Sequence, residues 1–276
     1  MIFEEHYHPN KAVRKEAHGA FDVYYFNNGA SLTVRRKHTG VLFSPGKLTY
    51  RPIHTAEGEH SRILDAYEGD KIHFLVRIES RQHFAPTYDG LLHHYSKLYA
   101  ARVRIEAPVA WLNESLSNRK NAIIVTKYRK TWTPLYNKLL QIRDSIGGET
   151  SIHQRRKKIR GIFEKVFYEL GKMHGAGVRH GHPHDNNILV DGDGNVAFTD
   201  PKLLGDVNDV PKNIPLGLGR KLEFFPSHGK GADADLSRLT GIINSRRLEN
   251  WLNWSELGKA YEKGVALGKK RTAHLQ

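Results

Sequence analysis

His180, His182, His184, Asp185 and Asn187 fall within eight residues, and Asp200 follows Asn187 by thirteen positions. Imidazoles exchange protons near neutral pH. An amide oxygen and a carboxylate suit a hard divalent cation such as Mg²⁺, which takes few protein ligands and keeps waters and phosphates for the rest. Between Asn187 and Asp200 lie Ile188-Leu189-Val190, then Asp191-Gly192-Asp193-Gly194-Asn195, then Val196-Ala197-Phe198-Thr199. Asp-Gly and Gly-Asn steps between β-prone runs spell a hairpin, because glycine takes positive φ without strain. Such a hairpin returns Asp200 to the neighbourhood of Asn187.

Two other metals are weaker expectations. Alternate histidines invite zinc. His180, His182, His184 and Asp185 fail the metallo-β-lactamase pattern, since the terminal His and Asp stand in the wrong order and no further ligands can be placed. The Asp191–Asn195 run lacks the glycine and glutamate that a calcium loop needs at its sixth and twelfth positions, which leaves a plain turn.

The whole run resembles the catalytic loop and metal-binding segment of the protein-kinase-like superfamily, nearest to its aminoglycoside-phosphotransferase and lipopolysaccharide-kinase-like branches. That pattern reads His-Gly-Asp-x-His-x-x-Asn-Ile-Leu, then a hairpin and a metal-binding Asp. His180, Gly181, His184, Asn187, Ile188, Leu189 and Asp200 match in register. The catalytic Asp of the pattern, five residues before the Asn, is replaced by His182.

The resemblance implies an α+β, two-lobed, protein-kinase-like fold with a small, mainly β amino-terminal lobe and a larger, mainly α carboxy-terminal lobe. It implies ATP- and Mg²⁺-dependent phosphoryl transfer to a hydroxyl on a small molecule, lipid, sugar or protein. Asn187 and Asp200 would hold the metal. His182 would orient or deprotonate the acceptor, and Asp185 would stand in as a second proton acceptor. Three readings of His182 stay open: a general base, the mark of a catalytically weak pseudokinase that regulates by binding nucleotide, or a purely structural residue. Phosphoryl transfer rests mostly on positioning and metal electrostatics, so replacing the base need not abolish it. His180 and His184 are expected to position the loop.

The rest of the chain must hold this loop. Residues 1–46 read as an amino-terminal extension with a hairpin, Phe21–Phe26 and Ser31–Val34 around an Asn-Asn-Gly turn. Residues 47–128 read as the amino-terminal lobe, with strands at 48–53, 62–67 and 72–78. The loop at 55–61, with its single Gly58, would cover phosphates in such a lobe; an ordinary hairpin loop fits as well. Arg77 on the third strand would contact phosphate bidentately. Residues 86–101 have near-helical apolar spacing, with Asp89 near the start. A strand at 122–128 leads to a hinge, where the backbone of Thr126, Lys127 and Tyr128 would meet the adenine.

Residues 129–276 read as the carboxy-terminal lobe, helical over 134–175. Ile159, Ile162, Phe163, Val166, Phe167, Leu170 and Met173 form one apolar stripe. Lys157, Lys158, Arg160 and Lys165 lie off it, and Gly175 and Gly177 end the helix. A polar loop over about 203–231 follows Asp200. A helix then starts near Ala232, capped by an Asp; the resemblance implies that Asp233 or Asp235 anchors the catalytic loop. A last helix covers 250–268.

Of 276 residues, 39% are hydrophobic and 26% charged, which fits a globular chain of one large domain or two lobes. There is no apolar run of eighteen residues, hence no membrane-spanning helix, and no leader-like start, so the expected location is the cytoplasm. Cysteine is absent, which excludes disulfides and thiolate chemistry. The net charge of +14 favours anionic partners: a nucleotide, and an acidic or already phosphorylated acceptor. Nucleic acid would suit the charge too, but no stacking aromatics or recognition helix mark it.

Overall fold

A computed structural model describes residues 3, 7–44, 46–52, 61–69, 71–80, 88–106, 108–113, 121–127, 131–145, 151–200, 204–207 and 231–275. The chain divides into two compact units, Met1–Tyr88 with Ala107–Arg129, and Asp89–Glu106 with Lys130–Gln276.

The first unit is one antiparallel sheet. Its strands are β1 (Arg14–His18), β2 (Phe21–Tyr25), β3 (Ser31–Arg35), β4 (Thr49–Pro52), β5 (Ser61–Glu68), β6 (Lys71–Ser80), β7 (Pro108–Asn113) and β8 (Asn121–Lys127). A short helix, α1 (Thr39–Phe43), follows β3. The order across the sheet is β1-β2-β3-β7-β8-β6-β5-β4. The hairpin expected near the amino terminus is present as β2–β3, and β3 pairs with β7, so it belongs to this sheet.

Alternation along the strands sorts the side chains into rows. Val34, Ala110, Val125, Val76 and Leu64 pair across five strands, and Tyr24, Leu32, Leu112, Ile123 and Ile78 form a second row. Both rows pack into one apolar core. Each fully buried aliphatic chain there contributes about 1.5–3 kcal/mol relative to exposure. The row on the other face is Thr33, Trp111, Ile124 and Arg77.

The second unit is mainly helical. It contains α2 (Tyr88–Ala100), β9 (Thr133–Pro134), α3 (Leu135–Asp144), α4 (Ile152–Gly175), β10 (Val178–Arg179), β11 (Ile188–Val190), β12 (Val196–Phe198), β13 (Gly205–Asp206), α5 (Ala232–Ser245) and α6 (Trp254–Thr272). Two helices, α3 and α4, stand where the spacing suggested helix throughout 134–175. All seven members of the apolar stripe on α4 are buried. Ser151 caps its start by accepting the Gln154 N–H. The N-cap of α5 is Gly231 rather than an Asp; Asp233 and Asp235 lie inside its first turn.

A buried ion pair ties α4 to the segment after α2. Lys172 Nζ lies 2.7 Å from Glu169 and donates to the Arg102 carbonyl at 2.7 Å. Glu169 accepts the Arg104 N–H at 3.0 Å. The Arg104 carbonyl accepts the Phe198 N–H at 2.9 Å, which fixes β12 against the same segment. No helix among the described residues is long and apolar enough to cross a membrane.

Candidate functional site

The hairpin forms as the turn chemistry requires. Ile188 pairs with Phe198 and Val190 with Val196. Asp191 closes the turn, accepting the N–H groups of Asp193 and Asn195 and the Asn195 side-chain amide. Its carboxylate is consumed by the turn, as the plain-turn reading expects. Beyond the ladder the Thr199 N–H donates to the Asn187 carbonyl at 2.9 Å. Asn187 and Thr199 are thus neighbours, with Asp200 one residue on. Asp200 is held at φ 58°, a left-handed conformation that non-glycine residues rarely take. Its Oδ1 is shut off from solvent.

The loop before the hairpin is tied down from below. Asp235 Oδ2 accepts the His180 N–H at 2.7 Å, and Oδ1 accepts the Gly181 N–H at 2.9 Å. His174 adds a third bond, Nε2 to Asp235 Oδ2 at 3.2 Å, while its Nδ1 meets the Tyr261 hydroxyl at 2.7 Å. Asp235 is fully buried. Burial alone would raise its pKa, but the His174 bond and the neighbouring backbone N–H outweigh that and hold it below the usual carboxylate range. Burial, together with the Asp233 and Asp235 charges, pushes the Tyr261 hydroxyl well above its ordinary value. Asp235 is therefore the anchor, and Asp233 is exposed. On the far side of the peptide Arg238 donates to the Gly181 carbonyl.

His180 is buried and spent on the backbone. Its Nδ1 accepts the His182 N–H at 3.2 Å, so Nε2 carries the proton and donates to the Thr199 carbonyl at 2.8 Å. Burial lowers its pKa and keeps it neutral. With both nitrogens used it cannot ligate zinc, and no group of three His, Asp or Glu side chains among the described residues is placed to hold a metal.

His182 lies half-buried with its ring centroid 4.5 Å from that of His184. Desolvation, then the His184 and Arg238 charges, lower its pKa to about 4, against an opposing pull from Asp200. Its carbonyl accepts the Asn187 side-chain amide N–H at 3.0 Å. That bond fixes the amide and leaves its oxygen available. Asn187 Oδ1 and the Asp200 carboxylate are a donor set that fits Mg²⁺, hard oxygens supplied by few residues. The His184 backbone N–H donates to the His182 carbonyl and its own carbonyl accepts the Asn187 N–H, so it braces the loop as expected.

Asp185 is held in an ion pair. Arg246 Nη2 binds its Oδ2 at 2.7 Å, and the same guanidinium lies 4.4 Å from the Tyr136 ring centroid. The pair ties the loop to the end of α5. Arg246→Ala is expected to lower stability by about 1 kcal/mol, read as a small drop in the urea midpoint with unchanged slope.

One residue escaped sequence reading. The Thr199 hydroxyl donates to Glu106, a buried carboxylate whose N–H in turn donates to the Phe198 carbonyl at 2.6 Å. Glu106 fixes Thr199, between β12 and Asp200, from 93 residues away, and nothing local announces it.

The proposed nucleotide contacts belong to the other unit. Arg77 is half-buried at mid-strand in β6. The Thr126 hydroxyl points to the Leu75 carbonyl at 3.4 Å, and Lys127 is exposed at the end of β8. Gly58, Tyr128, the loop at 55–60 and most of the 203–231 loop lie outside the described residues. Asp89 falls within α2.

The sequence matches no family model and no curated protein. Among solved structures, one described as "WaaP in complex with acyl carrier protein" is 19% identical, with a TM-score of 0.44, covering 80% of this chain and 89% of that one.

The low pKa of His182 predicts an acid-sensitive loop. The folded value, about 4, lies below the ordinary 6.5, so the unfolded chain binds more protons between those limits. Stability contributed by the neutral ring is complete above pH 6.5 and is lost as pH falls toward 4. His180, shifted the same way by burial, adds to this. Ring-proton NMR should show His182 still neutral at pH 5.5, and the denaturant midpoint should fall between pH 7 and pH 5. A His182 titration centred near 6.5 would contradict it.

Proposed function

We propose that this chain has a protein-kinase-like fold and transfers the terminal phosphoryl group of ATP to a hydroxyl acceptor, with Mg²⁺ held by Asn187 and Asp200. The observation that supports it most is the hairpin end: Asn187 fixed through the His182 carbonyl, and Asp200 held at φ 58° beside it. Strained backbone of this kind costs about 1–3 kcal/mol and persists where surrounding structure over-determines it, commonly at functional sites. Mg²⁺, when bound, supplies charge neutralisation at the phosphates. The chain's own residues do the rest. Asp235 and Arg238 hold the loop, Asn187 and Asp200 orient, and neutral His182 accepts a hydrogen bond from the acceptor hydroxyl. Arg77, Thr126 and Lys127, with Gly58 and Tyr128, are the proposed nucleotide contacts and rest on the sequence resemblance. An acidic or phosphorylated acceptor suits the +14 charge.

The second reading is a nucleotide-binding regulator, and the depressed His182 pKa favours it, because a ring protonated only near pH 4 is a weak base at neutrality. Labelled ATP with Mg²⁺ separates the two. Transferase activity predicts phosphate release or transfer, a loss of about 10²-fold or more in kcat for His182→Ala, and nucleotide binding that survives in that variant. Mg²⁺-dependent ATP binding with no turnover in either protein makes it a regulator. If neither ATP binding nor turnover is seen, and Asp200→Ala changes nothing, both readings fail.

A further inference from the structure

The second unit carries a cavity of about 710 Å³ between α3, the first half of α4 and the tip of the β11–β12 hairpin. Four lysines contribute to its walls: Lys138 from α3, and Lys157, Lys158 and Lys165 from α4. Among the described residues the one carboxylate in the lining is that of Asp193, whose backbone carbonyl accepts from Lys165 Nζ at 3.3 Å. No ion pair among the described residues engages Lys138, Lys157 or Lys158. Ile142 and Ile162, both buried, contribute apolar wall. Gly161, Gly192 and Gly194 keep part of the rim bare, and a Cβ built on Gly161 meets nothing within 4 Å.

We infer that this cavity binds a multiply charged, phosphate-bearing ligand, at a site separate from the His182–Asp200 loop. Like charges gathered round a concavity repel one another until an anion enters. Lysine offers a compact charge with three rotatable donors, which suits phosphate oxygens approached from several sides. A cavity of this volume matches a small ligand or one lipid headgroup. Among the described residues no aromatic side chain lines the cavity for bases to stack on, which disfavours single-stranded nucleic acid. The apolar wall would cover the ligand's uncharged flank. The basic face of α4, legible in sequence as a run of lysines, thereby acquires a use.

Titration calorimetry with the full chain and inorganic pyrophosphate is the test. The expected result is saturable one-to-one binding that weakens as salt is added. Lys157→Glu with Lys158→Glu should weaken it about tenfold or more, the equivalent of at least 1.4 kcal/mol. Gly161→Leu should do the same by filling the space; leucine also favours helix over glycine, so its thermal midpoint should not fall. Asp200→Ala should leave the affinity within about twofold, since a site apart from Asp200 loses no contact. A second arm uses phosphatidylcholine vesicles with and without phosphatidic acid. Binding to the acidic vesicles that Gly161→Leu removes makes the source a lipid headgroup; pyrophosphate binding alone makes it a soluble phosphate. The inference is overturned if neither probe binds saturably, if the cavity variants bind like wild type, or if Asp200→Ala abolishes binding instead.

Discussion

Asp235→Ala is expected to cost about 3–5 kcal/mol, the range for removing one partner from a buried charged network. Three donors lose their acceptor at once: the backbone N–H groups of His180 and Gly181, and His174 Nε2. All sit in buried surroundings where each unsatisfied donor costs about 1–3 kcal/mol, and the smaller side chain leaves a void. Domains of this kind are stable by only about 5–15 kcal/mol, so the alanine variant stands near the edge of folding. Asp235→Asn keeps the argument testable. It retains one oxygen of similar shape, loses the charge and turns an NH₂ toward a donor, so it should fall between wild type and alanine. Hydrogen exchange gives the local readout: amide protection at His180 and Gly181 should collapse first, before that of the α4 stripe. Equal protection in wild type and Asp235→Asn, with an unchanged midpoint, would show that the loop holds its shape without the anchor. Under the proposed function, the same variants should lose turnover in the same order.

Local chemistry was legible in the sequence, and long-range chemistry was not. The hairpin could be read because its turn and both strands lie within thirteen residues, and Asp-Gly and Gly-Asn admit few alternatives. The α4 stripe could be read because helical period and burial coincide over seven positions. The anchor could be narrowed to Asp233 or Asp235 by resemblance, but choosing between them needs the helix phase. Only Asp235 is directed inward, and an error of one residue in the cap would have left both candidates on buried positions. The Asp185–Arg246 pair spans 61 residues and the Glu106–Thr199 bond spans 93, and in neither case does residue type single out its partner. The β3–β7 pairing that draws the first hairpin into the sheet is of the same kind. The pattern of an isolated hairpin resembles that of a paired one until the partner strand is known.

Glycine on α4 has a second use besides ending the helix, and it carries the other large effect. The helix stops where Gly175 and Gly177 predict: Gly175 is its last residue, and Gly177 takes the positive φ of 76° just beyond the cap. Gly175 also serves packing. Gly171 and Gly175 on α4 face Gly264 and Gly268 on α6, two pairs at i, i+4 spacing. A Cβ on Gly171 would collide with the Tyr261 carbonyl, on Gly175 with the Val265 carbonyl, on Gly264 with the Tyr168 carbonyl, and on Gly268 with the Lys172 carbonyl. Backbone meets backbone at all four positions, so no side chain can swing aside. Helix propensity favours alanine over glycine by about 1 kcal/mol, while overpacking costs about 1–3 kcal/mol and more where nothing yields. Gly264→Ala is therefore expected to be destabilising by about 2 kcal/mol net, and Gly264→Val by more. Gly161→Ala, on α4 itself, has open space around its Cβ and should gain about 0.5–1 kcal/mol. The two alanine variants thus differ in sign under one propensity scale, and paired denaturant melts decide it. Were Gly264→Ala to stabilise the protein as Gly161→Ala does, α4 and α6 would have to lie further apart than the four glycines allow. Tyr261, whose hydroxyl meets His174 in the network under Asp235, rides on that same helix contact. Loosening α6 should therefore also weaken protection at His180 and Gly181, linking the packing of two glycine pairs to the loop that carries His182.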